Sequence, residues 1–185
     1  NKRLEVIPQL AGDIKTGAIR TTEIVKGLRL FSRSENEPKT KADITESIET
    51  ALLLLKNRYK NRIQIEKQYQ QNLKPIRCYP GQLTQAFINL IHNAIDAIPD
   101  KGIIQIEVRE TEGGISISIA DDGIGMPAEL LSRIYDPFFT TKAVGDGMGM
   151  GLAITHGIIE RHMGNIQVSS EVNKGTLFEI FLPAN

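Results

Sequence analysis

The sequence predicts an α+β fold, a two-layer α/β sandwich in which helices cover one face of an antiparallel-rich sheet. Two observations carry this. Residues 82–98, QLTQAFINLIHNAIDAI, place Phe87, Leu90, Ile91, Ala94, Ile95 and Ile98 on one broad apolar face at about 100° per residue, the helical period. Residues 103–110 and 115–120, and again 165–170 and 176–182, alternate apolar with polar side chains and are joined by turn formers, as paired strands are.

Taken in order, residues 1–34 read as one long helix. Ile7, Leu10, Ile14, Gly17, Thr21, Ile24, Leu28 and Phe31 keep a 3-4 heptad spacing, and Leu4, Ala11, Ala18 and Val25 form a weaker seam beside it. Two seams suit a helix with more than one helical neighbour. Pro8 restricts the helix start or kinks it. Residues 32–38, SRSENEP, form a linker that ends in a proline. Asp43 caps a helix over residues 44–59 with the stripe Ile48, Leu52, Leu55 and Tyr59. Ile63, Ile65 and Lys67 alternate as a strand, and a short strand over 76–79 precedes Pro80, which opens the helix at 82–98. Glu112-Gly113-Gly114 turns between the next two strands. A short helix is expected over 127–134, a mobile loop over 136–148 and a last helix over 149–162.

At 185 residues the chain is one ordinary domain, or one of about 150 residues with an appendage. It is 41% hydrophobic and 24% charged, with 22 basic against 22 acidic residues. That balance points to neither nucleic acid nor an anionic membrane as partner. No apolar run approaches the roughly 20 residues of a membrane span, and no signal-peptide pattern opens the chain. A lone Cys78 in the strand expected over 76–79 reads as a buried small hydrophobe in a reducing, cytoplasmic setting.

Four stretches carry chemistry. Gln85, Asn89, His92, Asn93 and Asp96 share the polar side of the helix at 82–98, where a merely solvated face would carry Lys, Glu and Arg. Asn89 and Asn93, one turn apart, aim neutral amide oxygens the same way, as a hard cation or a phosphate-bound water requires. Asp121-Asp122-Gly123-Ile124-Gly125-Met126-Pro127 follows a strand: its glycines allow a tight backbone, and its carboxylate can accept a base's amino hydrogen. Gly147-Met148-Gly149-Met150-Gly151-Leu152 opens a helix with exposed N–H groups and the dipole behind them, an arrangement suited to phosphate. Between these two lies Tyr135-Asp136-Pro137-Phe138-Phe139-Thr140-Thr141-Lys142, a lid-like segment whose lysine can close on phosphates.

Together, NLIHNAIDA, DDGIGMP, DPFFTTK and GMGMGL, with KGTLF before Leu182-Pro183, resemble the ordered motifs of a sensor histidine kinase over about residues 80–183. The resemblance implies the Bergerat ATP-binding fold shared with gyrase, MutL and a heat-shock chaperone; the Walker motif is absent. It implies ATP and Mg2+ as ligands, with Asn93 holding magnesium and Asn89 and Lys142 in catalytic roles. The nucleotide contacts it implies are Asn89, His92, Asn93, Ala97, Asp121, Gly123, Gly125, Met126, Thr140, Thr141, Lys142, Gly147, Met148, Gly149, Met150, Gly151, Leu152 and Thr176. Asp121 would read adenine, Gly125 and Met126 would line the base, and Thr176 would lie beneath it. Met148 departs from the family's usual threonine, at a place where backbone donors serve the phosphates.

GAIRTTEIVKGLRLFSR resembles the second helix of the dimerisation and phosphotransfer hairpin, nearest the nitrogen-sensor type. Residues 1–36 are then half a hairpin and its linker, and residues 37–185 the catalytic domain. The implied partners are the phosphotransfer helix bearing the acceptor histidine, expected before Asn1, a response regulator, and a second copy in a full-length homodimer that is open to membrane anchoring. None of His92, His156 and His162 stands in the H-E-[LIF]-[RNK]-x-P context of an acceptor. The competing functions are an ATP-hydrolysing machine or an anti-sigma-type serine kinase on this fold. The ATPase relatives carry a Glu four residues before the magnesium Asn, where this chain has Asn89, an amide that cannot serve as a base. A purely dimerising module would leave the glycine boxes and Lys142 without a use.

Overall fold

A computed structural model describes residue 17, residues 38–142 and residues 149–184. The long helix expected over 1–34 and its linker therefore lie almost wholly outside the described residues. The chain divides into two compact units, residues 38–139 with 149–185, and residues 1–37 with 140–148. The first holds every helix and strand described here.

That unit runs β1 (Thr40–Ala42), α1 (Ile44–Tyr59), β2 (Ile63–Tyr69), β3 (Ile76–Cys78), α2 (Pro80–Ala97), β4 (Gly102–Thr111), β5 (Gly114–Asp121), α3 (Ala128–Leu131), α4 (Gly151–Arg161), β6 (Asn165–Glu171) and β7 (Gly175–Pro183). Five strands form one sheet in the order β2-β4-β5-β7-β6, parallel at β2/β4 and antiparallel elsewhere. Strand β3 does not join it. It pairs with β1, a strand the sequence did not announce, in a separate two-stranded ribbon.

The core is the layer between sheet and helices. The predicted stripe of α2 is buried throughout, with Phe87, Ile91 and Ile95 at zero exposure, and Leu83, outside that stripe, is fully buried as well. Against it lie Ile104, Ile106 and Val108 of β4, Ile115, Ile117 and Ile119 of β5, and Phe178, Ile180 and Leu182 of β7. These are alternate residues, so one face of each strand supplies the core and the other faces water. Helix α1 adds Ile44, Ile48, Ala51, Leu52 and Leu55. Its N-cap is Asp43, whose Oδ1 accepts the Thr45 N–H at 2.9 Å. Cys78 is fully buried in β3, as a small hydrophobe would be. Two helices are shorter than expected. The one at 127–134 is the single turn α3, and α4 starts at Gly151 because Gly149 takes a left-handed φ of 67° that no helix interior admits.

The N-terminus of α2 has Pro80 at its first position and no side-chain cap. Instead the Tyr79 N–H donates to His162 Nε2 at 3.0 Å, and His162 Nδ1 donates to the Ile158 carbonyl at 2.7 Å. Both ring nitrogens are committed, so the imidazole is neutral and carries its proton on Nδ1. Burial, with Lys39 and Arg161 nearby, holds its pKa below the ordinary 6.5, against the pull of the Ile158 carbonyl. The unfolded chain takes up a proton below that value before the native state does, so this histidine costs stability as pH falls. Urea melts should show native stability falling more steeply from pH 7.5 to 5 in the wild type than in His162→Gln. Equal slopes would overturn the assignment. Comparing the two proteins is necessary because Asp121 titrates in the same range with the opposite sign.

Candidate nucleotide-binding site

The site gathers at one end of the sheet, where three strands finish in register. Asp121 ends β5 directly opposite Thr176 on β7, and Thr176 lies opposite Ser170 on β6. By the two-residue period these side chains share the helix-facing side with Ile119, Phe178 and Val168. They continue the core layer outward in polar form. Thr176 is 6% exposed.

Asp121 is the most perturbed acid. Burial pushes its carboxyl up to about 6, although the backbone N–H groups of Gly123 and Thr176 pull it down, and Asp122 adds a smaller upward push. The Gly123 N–H donates to Asp121 Oδ1 at 2.9 Å, closing a tight turn. A desolvated carboxylate at the mouth of a site is poised to accept a donor that brings its own desolvation with it.

The loop after Asp121 is clamped from two sides. The Ile124 N–H donates to the Ala97 carbonyl at 2.9 Å, fixing the loop to the last turn of α2. On the other side the β6–β7 turn presses in. The Asn173 N–H donates to the Ile124 carbonyl at 2.8 Å, and a Cβ on Gly125, whose φ is 62°, would sit 2.0 Å from the Glu171 carbonyl oxygen. Only glycine fits between these two backbones. The Met126 N–H donates to Ser170 Oγ at 2.8 Å.

The other end of the site is built on α2 and the start of α4. Asn89 Nδ2 donates to the Gly151 carbonyl at 3.0 Å and lies 3.3 Å from Thr155 Oγ1, while its Oδ1 accepts from Gln85 Nε2 at 3.0 Å. Asn89 thus ties α2 to the first turn of α4, a positioning role, with its amide already used. Asn93, one turn on in the same helix, is half-buried, and its side chain makes no hydrogen bond to the described residues. Between Asn89 and Ala97 the helix advances about 12 Å. Asp121 and the Gly123–Gly125 loop therefore stand near the Ala97 end, and the α4 N-terminus near the other.

The polar side of α2 divides in two. His92 Nε2 meets Arg58 Nη1 of α1, His92 Nδ1 lies 3.4 Å from Asp96 Oδ2, and Arg58 Nη2 pairs with Asp96 Oδ1 at 3.0 Å. His92 is therefore placed in a cluster with α1, one residue from Asn93 in sequence and turned to a different neighbour. Gly149, Met150, Gly151 and Leu152 occupy the entry to α4, where the Phe138 N–H donates to the Gly149 carbonyl at 2.9 Å. Thr140, Thr141 and Lys142 belong to the second unit, in which the Lys142 N–H donates to Thr140 Oγ1 at 3.2 Å. Gly147 and Met148 lie outside the described residues, as do residues 143–146 of the expected loop.

Sequence reasoning missed Ser170. Its signal would have been the register of the last hairpin, which puts a hydroxyl opposite Thr176. A cavity of about 370 Å³ also opens at these strand ends, lined by Asp121, Ser170 and Thr176 together with Ala120, Ser169 and Leu177.

The donor set admits magnesium in one form. No group of three His, Cys, Asp or Glu side chains converges among the described residues. Asn93 offers one amide oxygen, which suits a Mg2+ that keeps water and is carried chiefly by nucleotide phosphates.

A family model described as "Histidine kinase-, DNA gyrase B-, and HSP90-like ATPase" matches residues 78–185. The sensor histidine kinase ZraS of Escherichia coli is 36% identical over 96% of this chain and 38% of its own length. The sensor kinase CckA of Brucella abortus is 34% identical over 92% of this chain and 20% of its own. The chain thus spans less than two fifths of either relative. Among solved structures, the catalytic domain of histidine kinase ThkA superposes with a TM-score of 0.72 at 29% identity, covering 80% of this chain and 97% of that one. Full-length ShkA in complex with AMPPNP gives a TM-score of 0.75 at 25% identity, over 89% of this chain and 36% of that one.

Proposed function

The chain belongs to the histidine kinase-, DNA gyrase B- and HSP90-like ATPase family, and on that premise we propose that it is the ATP-binding catalytic part of a sensor histidine kinase. Residues 37–185 would be the catalytic domain and residues 1–36 the second helix and linker of a dimerisation hairpin, of the nitrogen-sensor-like kind. The observation that carries the nucleotide reading is Asp121, a carboxyl raised to about 6 by burial at the strand end, set beside Thr176 and backed by the Gly123–Gly125 loop. The ATP analogue in ShkA supports the same ligand class.

In this reading adenine meets Asp121, Gly125, Met126 and Thr176, and the triphosphate runs along α2 past Asn93 towards the α4 N-terminus. Lys142, Thr140 and Thr141 would close on the phosphates. Mg2+, held by Asn93, would neutralise phosphate charge. The acceptor is an imidazole on a phosphotransfer helix: its nitrogen forms a bond to the γ-phosphorus, the bond to the bridging oxygen breaks, and ADP leaves while the ring proton passes to solvent. Asn89 favours kinase over hydrolase, because it is an amide with both ends engaged and cannot deprotonate water. Relay to a response regulator and assembly as a homodimer through the hairpin complete the proposal. No described helix is long and apolar enough to cross a membrane.

Asn93 gives the direct test of the metal. Calorimetric titration of Asn93→Ala should show Mg-ADP affinity reduced about tenfold, with ADP affinity in chelator unchanged. A wild-type response to magnesium in this variant would remove Asn93 from the assignment.

A further inference from the structure

Ser170 sits where three hydrogen bonds meet. Its Oγ lies 2.8 Å from the Gly175 carbonyl oxygen, 2.8 Å from the Met126 nitrogen and 3.0 Å from Thr176 Oγ1. The direction of each bond follows from chemistry. A carbonyl can only accept, so the single Ser170 proton goes to Gly175. An amide N–H can only donate, so Met126 gives to Ser170. Thr176 must then donate into Ser170 as well, since Ser170 has no proton left for it.

The consequence appears at Thr176. With its own proton turned back to Ser170, the Thr176 oxygen meets the rest of the site with lone pairs only. Thr176 stands directly opposite Asp121 in the β5/β7 register, so two acceptors lie side by side on the core-facing side of the strand ends. Glycine at 175 is what lets the turn come this close, because a Cβ there would fall 1.8 Å from the Asp121 carbonyl oxygen.

We propose that Ser170 is a positioning residue for base selection: it fixes Thr176 as an acceptor, so that the pair Thr176 and Asp121 takes a base bearing an exocyclic amino group and rejects one bearing an oxo group there. The inference rests on the nucleotide reading above and adds how this chain sets adenine against hypoxanthine. Hypoxanthine is the sharper comparison, because it replaces the amino group by an oxo group on the same ring frame. An oxo group would bring its lone pairs against two acceptors, neither with a proton to offer it.

In Ser170→Ala the Met126 N–H loses its acceptor and the Thr176 hydroxyl is released to turn and donate. Looseness alone would weaken ADP and IDP alike. Loss of polarity instead weakens ADP and relieves IDP, so the ratio of their affinities should fall about tenfold. Ser170→Thr keeps the hydroxyl and should keep the ratio. Thr176→Val removes the reoriented group itself and should lower the ratio, which gives a second measure should Ser170→Ala fold poorly. The experiment is calorimetric titration of wild type and the three variants with ADP and with IDP. A ratio unchanged in both Ser170→Ala and Thr176→Val, whatever the absolute affinities, would overturn the role of Ser170. Wild-type protein that binds ADP no better than IDP would overturn it too, and wild type that binds neither would instead overturn the nucleotide reading beneath it.

Discussion

Asp121→Asn should lower the affinity for ADP about a hundredfold, the value of a hydrogen bond to a charged acceptor lost in a desolvated place. The substitution keeps the volume and exchanges one oxygen for an NH2. The Gly123 N–H donates to one carboxylate oxygen at 2.9 Å, and the amide oxygen must stay there to keep the turn. The NH2 then faces the base's amino group, donor against donor. Acidity supplies a second readout. Burial has raised the free carboxyl to about 6, so binding that needs the ionised form is level above that pH and weakens below it, by up to roughly tenfold per unit. Asp121→Asn should lack this slope. Calorimetry from pH 5 to 8 on both proteins checks the claim, and a variant with wild-type affinity, or with the same pH slope, would remove Asp121 from base recognition.

What the sequence discloses of this site depends on how local the physics is. Helix α2 was legible because its apolar stripe is a property of one segment: Phe87, Leu90, Ile91, Ala94, Ile95 and Ile98 are all buried as their spacing requires. The polar side was legible only as a sector. That Asn89 faces α4 while His92 and Asp96 face Arg58 depends on where α1 and α4 lie, which no period within α2 encodes. Strand pairing is less local still. Ile76–Cys78 reads as a strand, but its three-residue partner Thr40–Ala42 is too short to carry a pattern, so the ribbon could not be foreseen. Ser170 stayed hidden for the same reason: its place opposite Thr176 is fixed by the β6–β7 register. The tight backbone expected of the glycines after Asp121 is present at Gly125, which abuts the Glu171 carbonyl. The left-handed Gly149 shows why the helix begins only at Gly151.

Incubated with radiolabelled ATP, this chain alone should acquire no phosphohistidine, and adding a separate dimeric hairpin domain that carries an acceptor histidine should restore labelling on that helix. Transfer needs a nucleophile held about 3–3.5 Å from the phosphorus and in line. None of the three histidines of the chain is so disposed. His162 is 4% exposed, with Nε2 accepting from Tyr79 and Nδ1 donating to Ile158. His92 is engaged by Arg58 and Asp96. The His156 ring lies against Tyr135 at 4.8 Å between centroids, tilted by 47°, with Nδ1 3.4 Å from Glu160. Freeing His162 would break its bond to Tyr79 at the start of α2, and freeing His92 its contact with Arg58 of α1. Water is no easier a nucleophile, because Asn89 stands where a hydrolase would need a carboxylate, so ADP release without the hairpin should be slow as well. The label on the added helix should be acid-labile and alkali-stable, as a phosphoramidate is and a phosphoserine is not. Rapid labelling of His92, His156 or His162, or ATP turnover that the hairpin does not accelerate, would show that the phosphoryl acceptor has been misplaced.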